Sequence, residues 1–178
     1  MIQSIFKAKR KDNGEWVEGY IYGHESPLQC IGPKGYVPEQ TKWYILQTGF
    51  ADWSMPRPVD FIEVDPNTIS QYIGANCWNA DQRHLGKKIF MNDIVRIAIG
   101  NEYVDYLLWD LREIPYREAI ALDKDYYFNG VDYHSEHMIS WEDFMLYLHD
   151  PWGDHDSVEV IGNIFDNPEL LNNVDLRL

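Results

Sequence analysis

The pair of segments VDPNTISQYIG and LGKKIFMNDIVRI (residues 64–74 and 85–97), answered by VEVIGNIFDNPELL (158–171), limits the fold of this chain more than any other feature. These segments are made of turn formers, helix caps and strand residues, with no nucleophile, metal cage or phosphate cradle. They speak to architecture and are silent on chemistry. Asp65 before Pro66 predicts an N-cap with proline at the first helical position, where the missing N–H costs nothing. Asn92-Asp93 predicts a turn feeding the apolar run Ile94, Val95, Ile97 and Ile99, which has strand composition. Val158, Val160, Ile161, Ile164 and Phe165 predict a second strand, stopped by Asp166-Asn167-Pro168. Glu169-Leu170-Leu171 then begins another turn of helix. The two strands, far apart in sequence, are expected to pair.

The rest of the chain supplies a mainly β scaffold with minor α. Ile5 to Lys9 and Trp16 to Tyr22 flank Asp12-Asn13-Gly14, and Asn-Gly is a strong hairpin signal because both residues tolerate positive φ. Residues 24–40 gather Pro27, Gly32, Pro33, Gly35 and Pro38 and read as a loop. Trp43 to Leu46 and Val59 to Val64 read as strands separated by Pro56-Arg57-Pro58, with a turn at Gly49 to Trp53. Gly100-Asn101 predicts a hairpin into Tyr103–Trp109. Ser140 is a candidate N-cap for a helix carrying Trp141, Phe144, Met145 and Leu148 at i, i+3, i+4 and i+7. The expected organisation is an N-terminal β meander over 1–64 and a second region over 65–178 with an acidic α+β insertion at about 109–156. The two can also form one integrated domain.

Four stretches, FKAKRKDNGEWVEGY, VDPNTISQYIG, GKKIFMNDIV and VIGNIFDNPELL, cover just over a quarter of the chain. In this order they resemble the YopX-like proteins of phages and prophages. The resemblance implies a mostly β protein with a small SH3-like barrel, encoded by a mobile element, with no established biochemical activity and no catalytic residues to carry over. The chain departs from the family pattern in a longer link, ANCWNADQRHL, and in Met91-Asn92, where a Glu-Gly pair is usual.

Hydrophobic residues make up 45% of the 178 residues, enough for a real core. No apolar stretch approaches the roughly 20 residues that span a bilayer, and MIQSIFKAKRK lacks the apolar region of a signal peptide, so the cytoplasm of a bacterial host is expected. Cys30 and Cys77 lack CxxC spacing and read as reduced thiols. The net charge of −14 is unevenly placed: residues 1–100 hold 11 basic and 11 acidic residues, whereas residues 101–178 hold 4 and 18. An acidic half repels nucleic-acid phosphates and favours basic partners. Its acids never form a run of five or six, so a phosphate-like row does not follow.

The search for chemistry returns little. His134, Glu136 and His137, with Asp132, His149, Asp154, His155 and Asp156, are the nearest approach to a metal site, but their spacing matches no defined geometry, and no metal or cofactor is expected. Asp123 with Asp125, and Glu142 with Asp143, read as solvated acids before they read as acid–base pairs. Trp43, Trp53, Trp78, Trp109, Trp141 and Trp152 could stack bases, yet packing accounts for them more simply. The favoured reading is a non-catalytic protein-interaction module with an acidic, aromatic-rich surface that includes Asp123, Asp125, Glu142 and Asp143. Its partner would be a basic host or phage protein, with self-association open. The alternatives are nucleic-acid binding through the basic cluster Lys7, Lys9, Arg10 and Lys11, and an enzyme of unknown class.

Overall fold

The computed structural model describes residues 4–24, 41–48, 58–79, 86–99, 102–111, 116–121, 127–128, 131–132, 138–149 and 157–171. Fourteen strands follow in chain order: β1 Phe6–Lys9, β2 Trp16–His24, β3 Lys42–Thr48, β4 Val59–Val64, β5 Ser70–Asn76, β6 Trp78–Asn79 and β7 Lys88–Phe90. Then come β8 Asp93–Ile99, β9 Glu102–Leu111, β10 Tyr116–Ala121, β11 Tyr127–Phe128, β12 Val131–Asp132, β13 Met138–Ser140 and β14 Ser157–Asn163. One helix, α1, spans Trp141–His149, and two 3-10 turns span Pro66–Thr68 and Pro168–Leu171. All pairings are antiparallel, and the chain divides into two compact units, Met1–Gln71 and Tyr72–Leu178.

In the first unit the strands run β4-β3-β2-β1, and β1 also pairs with the start of β5 (Phe6 opposite Gln71). The β1–β2 loop is Lys11 to Gly14. The Arg10 N–H donates to the Glu15 carbonyl, and the Gly14 N–H donates to the Arg10 carbonyl. Only Gly14 takes a positive φ there, +74°. Asn13 serves instead through its side chain, whose Oδ1 accepts from the Glu15 N–H at 3.0 Å. Alternation along the strands buries Ala8, Val17, Ile45 and Val64, with Phe6, Ile21, Trp43, Ile62 and Ile69 packed around them. Asp65 accepts from the Asn67 N–H as an N-cap, with Pro66 inside the turn as expected. Residues 65–71 stay with this unit: the Asp65 N–H donates to the Lys9 carbonyl, and Thr68 Oγ1 accepts from the Lys9 N–H. The two ends of the meander meet at one bridge, Arg10 with Val64.

The second unit orders its strands β13-β10-β9-β8-β14-β6, with β5 and β7 paired beside them and β11 with β12 as a separate pair. No pairing joins β13 to β6 among the described residues, so the order is open as described. The expected pairing of the two distant strands is present: β8 and β14 run antiparallel from Ser157 opposite Ala98 to Asn163 opposite Asp93, with a bulge between Val160 and Gly162. Ile164 and Phe165 lie past the end of β14, because Asn163 ends it. Its Oδ1 accepts from the N–H groups of both Phe165 and Asp166. Gly162 is fixed by space, since a Cβ there would stand 2.6 Å from Asn167 Oδ1.

Asn92, at the position where glycine is usual in the resembled pattern, has φ +67°, the region glycine enters freely and asparagine tolerates best after it. Its N–H donates to the Leu108 carbonyl and its carbonyl accepts from the Ile164 N–H, so the middle and terminal signature segments meet at this residue. Asp93, fully buried, accepts from the Phe90 N–H at 2.9 Å and closes the turn. The core gathers Ala75, Ile89, Met91, Val95, Ile97, Tyr106, Leu108 and Val158 with Phe144 and Leu148 of α1, while Trp141 and Met145 pack against it. The four apolar positions expected to face inward do so, and Glu142 is exposed. Of the expected loop at 24–40, His24 is the last residue of β2 and 25–40 lie outside the described residues, as do the expected turns at Gly49 to Trp53 and Gly100-Asn101.

Candidate interaction surfaces

The first unit packs Phe6 and Trp43 against its core and turns other aromatic residues outward. In β2, Val17 and Ile21 face the core, so Trp16, Glu18, Tyr20, Tyr22 and His24 share the other face. Cross-strand register adds Leu46 and Tyr44 opposite Tyr20 and Tyr22, then Phe61 and Glu63 opposite Leu46 and Tyr44. Tyr20, Tyr22, Val59 and Phe61 are 44%, 45%, 48% and 57% exposed. The Phe61 ring stands edge-to-face to Tyr22 at 6.1 Å and to Tyr44 at 6.3 Å, the offset geometry that the ring quadrupoles favour.

Lys7 and Lys9 share that face through their pairing with Glu18 and Trp16. Their ammonium groups sit 4.9 and 5.5 Å from the Trp16 ring centre, as cation–π contacts, and Lys7 is only 7% exposed. Arg10 donates through Nε and Nη2 to the two carboxylate oxygens of Asp12, at 2.9 and 2.7 Å. Lys11 Nζ donates to Glu63 Oε1 at 2.7 Å. Each hydrogen bond holds its carboxylate below the usual range and raises its cation's pKa. The four basic residues nominated from sequence therefore do not stand as one row of like charge: two are in ion pairs and two lie along an indole.

Of the four acidic residues nominated, Asp123 and Asp125 lie outside the described residues. Glu142 is exposed at the start of α1, and Asp143 follows it on the helix backbone. Asp132 and His149 fall within β12 and α1, while the remaining proposed metal ligands lie outside the described residues. Among the described residues, no group of three or more His, Cys, Asp or Glu could hold a metal ion. Cys77 is a free, half-buried thiol between β5 and β6. Burial pushes its pKa up, and its Sγ accepts from the Val160 N–H at 3.3 Å, which marks it as a packing residue. Cys30 lies outside the described residues.

Three of the tryptophans considered for stacking are packing residues: Trp43 lies against the first core, and Trp78 and Trp141 against the second. Trp109 lies in β9, and Trp53 and Trp152 are outside the described residues. Sequence reasoning had looked to tryptophan and missed the tyrosine and phenylalanine face. The signal for it was the alternation in WVEGYIYGH, where Tyr20 and Tyr22 fall out of phase with Val17 and Ile21. In the second unit, Arg96 grips Asp105 with two hydrogen bonds of 2.8 and 2.9 Å and lies 4.0 Å from the centre of the exposed Tyr103 ring. Its donors are already turned to a carboxylate.

The surfaces therefore belong to a mainly β, antiparallel protein of two units, the first of which displays a cluster of aromatic rings. The family model described as YopX protein matches residues 47–172, well over half of the chain, and the chain belongs to the YopX family. No curated protein and no solved structure matches it. Among the described residues, no helix is long and apolar enough to cross a membrane.

Proposed function

We propose that the protein is a non-catalytic interaction module of a phage or prophage, acting in the bacterial cytoplasm, that captures a basic host or phage protein. The aromatic outer face of the first unit makes the contact, and the acidic half of the chain sets the charge of the partner. One observation carries the reading: Tyr22, Tyr44 and Phe61 form an edge-to-face cluster whose outermost members are about half exposed. Interfaces commonly use such aromatic anchors, and an excess of 14 acids over residues 101–178 attracts a basic protein to the chain as a whole. The exposed Glu142, on a helix whose other face is packed, belongs to that acidic half, together with Asp123, Asp125 and Asp143.

The SH3-like barrel suggested by the family resemblance belongs to the second unit in this reading. Only Cys77 separates β5 from β6, the first pairing with β7 and the second with β14. One bent strand thus serves two pairings, as happens where a small barrel turns a corner.

The test is capture from host lysate by the full chain, the wild type against Tyr22→Ser/Phe61→Ser. The double substitution is expected to change unfolding free energy by less than about 1 kcal/mol, because both rings are surface residues, and to abolish recovery of the partner. Recovery at wild-type level would remove the aromatic face from the mechanism. Charge reversal at Glu142 should slow association and leave dissociation nearly unchanged, and indifference to both salt and this reversal would remove the acidic contribution. Nucleic-acid binding keeps one supporting observation, the Lys7 and Lys9 contacts with Trp16 beside exposed tyrosines. A gel shift with single-stranded oligonucleotides at low salt separates that reading from the first.

A further inference from the structure

The outer edge of β4 already accepts one strand. Around the Arg10–Val64 bridge, the Lys11 N–H donates to the Glu63 carbonyl at 3.0 Å and the Asp65 N–H donates to the Lys9 carbonyl at 2.9 Å. The backbone groups of Glu63 thus point away from β3, and the two-residue period of the strand points those of Phe61 and Val59 the same way. Among the described residues, no backbone hydrogen bond reaches Val59–Ile62 except from β3. The same two residues carry the most exposed apolar side chains of the strand.

Of the devices that blunt an edge, β4 itself carries only the charges of Asp60 and Glu63. Val59–Val64 contains no lysine and no proline, and its register with β3 runs through six pairs without a bulge. A groove of about 400 Å³, lined by Arg10, Lys11, Asp12, Phe61, Ile62 and Glu63, lies where the first-unit chain leaves this edge. The Lys11 bond stops a partner strand at Glu63, and the groove leaves room for a side chain beyond Phe61.

We propose that Val59–Ile62 is a strand-addition site for an extended segment of another protein that alternates apolar and basic residues. The N–H and C=O groups of Val59 and Phe61 supply the main-chain pairing. Apolar side chains of the incoming strand lie beside Val59 and Phe61, and a lysine or arginine lies opposite the exposed Asp60. In the register that uses the whole of Val59–Phe61 on both strands, charge argues against a second copy of this chain as the occupant. Antiparallel self-pairing that matches Val59 with Phe61 sets the two Asp60 carboxylates against each other, roughly 4.5 Å apart at Cα. The proposal goes beyond the reading above, because it uses the edge of the sheet and Asp60 and needs neither the acidic half nor the tyrosines.

The experiment titrates the full chain with two fluorescein-labelled peptides, Val-Lys-Val-Lys-Val-Lys and Val-Glu-Val-Glu-Val-Glu, following polarisation and the amide exchange of Val59 and Phe61 by NMR. The basic peptide is expected to bind about tenfold or more tightly than the acidic one and to slow exchange at both amides. Asp60→Lys should reverse the preference with an unchanged circular dichroism spectrum. Equal binding of the two peptides, binding of neither, or a preference that survives Asp60→Lys overturns the proposal. So does slow exchange of Val59 and Phe61 in the peptide-free protein: protein concentration dependence would assign the edge to a second copy, and its absence to this chain's own residues. Failure here leaves the aromatic-face mechanism standing, since that is read by lysate capture with Tyr22 and Phe61 altered and Asp60 intact.

Discussion

The two units use one kind of residue in opposite ways. In the second, Tyr106 and Phe144 are buried with ring centres 5.5 Å apart, and Trp141 leans on Phe144 at 6.0 Å. In the first, Tyr20, Tyr22 and Phe61 stand on the solvent side of a sheet whose own core holds four buried residues, none of them aromatic. Burying an aromatic ring contributes roughly 1.5–3 kcal/mol. The first unit forgoes that gain at several positions on one face, whereas the second takes it wherever α1 reaches the sheet. The rings of this outer face are accessible apolar surface, whereas Tyr106 and Phe144 are part of a core.

Phe144→Ala presses hardest on this contrast. Truncating a fully buried ring should cost the second unit about 3–5 kcal/mol, and Ile45→Ala should cost the first about 2–5 kcal/mol, both read by urea titration. A loss under about 1 kcal/mol at Phe144 would mean that α1 does not anchor the second core. Asn92→Ala is expected to cost about 1–2 kcal/mol for placing a Cβ-bearing residue without a short polar side chain at φ +67°. Asn92→Gly should cost less, and the order of the two melting temperatures checks it. If alanine proved the milder change, backbone conformation would not be what this turn selects for.

The smallest effect concerns the ion pairs of the first unit. Asp12 and Glu63 have lowered pKa values in the folded state, so their contribution is present above the ordinary carboxylate range and is lost as pH falls through the lowered values. Arg10 and Lys11 have raised values, so their share is present below the ordinary lysine and arginine range and is lost only in strong alkali. Acidification below about pH 4 should therefore loosen the Lys11–Gly14 hairpin slightly, seen as a lower amide protection factor at Glu15 once the intrinsic exchange rate at each pH is divided out. Because both pairs are exposed, added salt should remove most of the difference. An acid effect that persists in high salt would point to a buried group instead.

Local chemistry made much of this fold legible. Asp65-Pro66 announces its capped turn, Asn92-Asp93 its strand entry, and the spacing of Trp141, Phe144, Met145 and Leu148 the packed face of α1. Each of these rests on residues a few positions apart. What escaped the sequence rests on distant partners: Lys11 looks like part of a basic patch until Glu63 arrives beside it, 52 positions away. The edge of β4, unpaired at Val59–Ile62 among the described residues, was likewise invisible, because whether a strand has one neighbour or two depends on pairings that no local pattern encodes. The departure at Met91-Asn92 proved conservative in backbone terms, with asparagine taking the positive φ that glycine would supply.

The bridge between Arg10 and Val64 also orders events in time. Each hairpin of the β1–β4 meander closes a connection between consecutive strands, whereas this bridge must bring together the two ends of the whole run. Loop-closure entropy places such a contact late, after its intervening pairs have shortened the effective loop. Until it forms, the part of the β4 edge that Lys9–Lys11 later occupies lacks that partner. The interval between completing the meander and sealing its end is therefore when the nascent first unit is most exposed to pairing with the wrong strand.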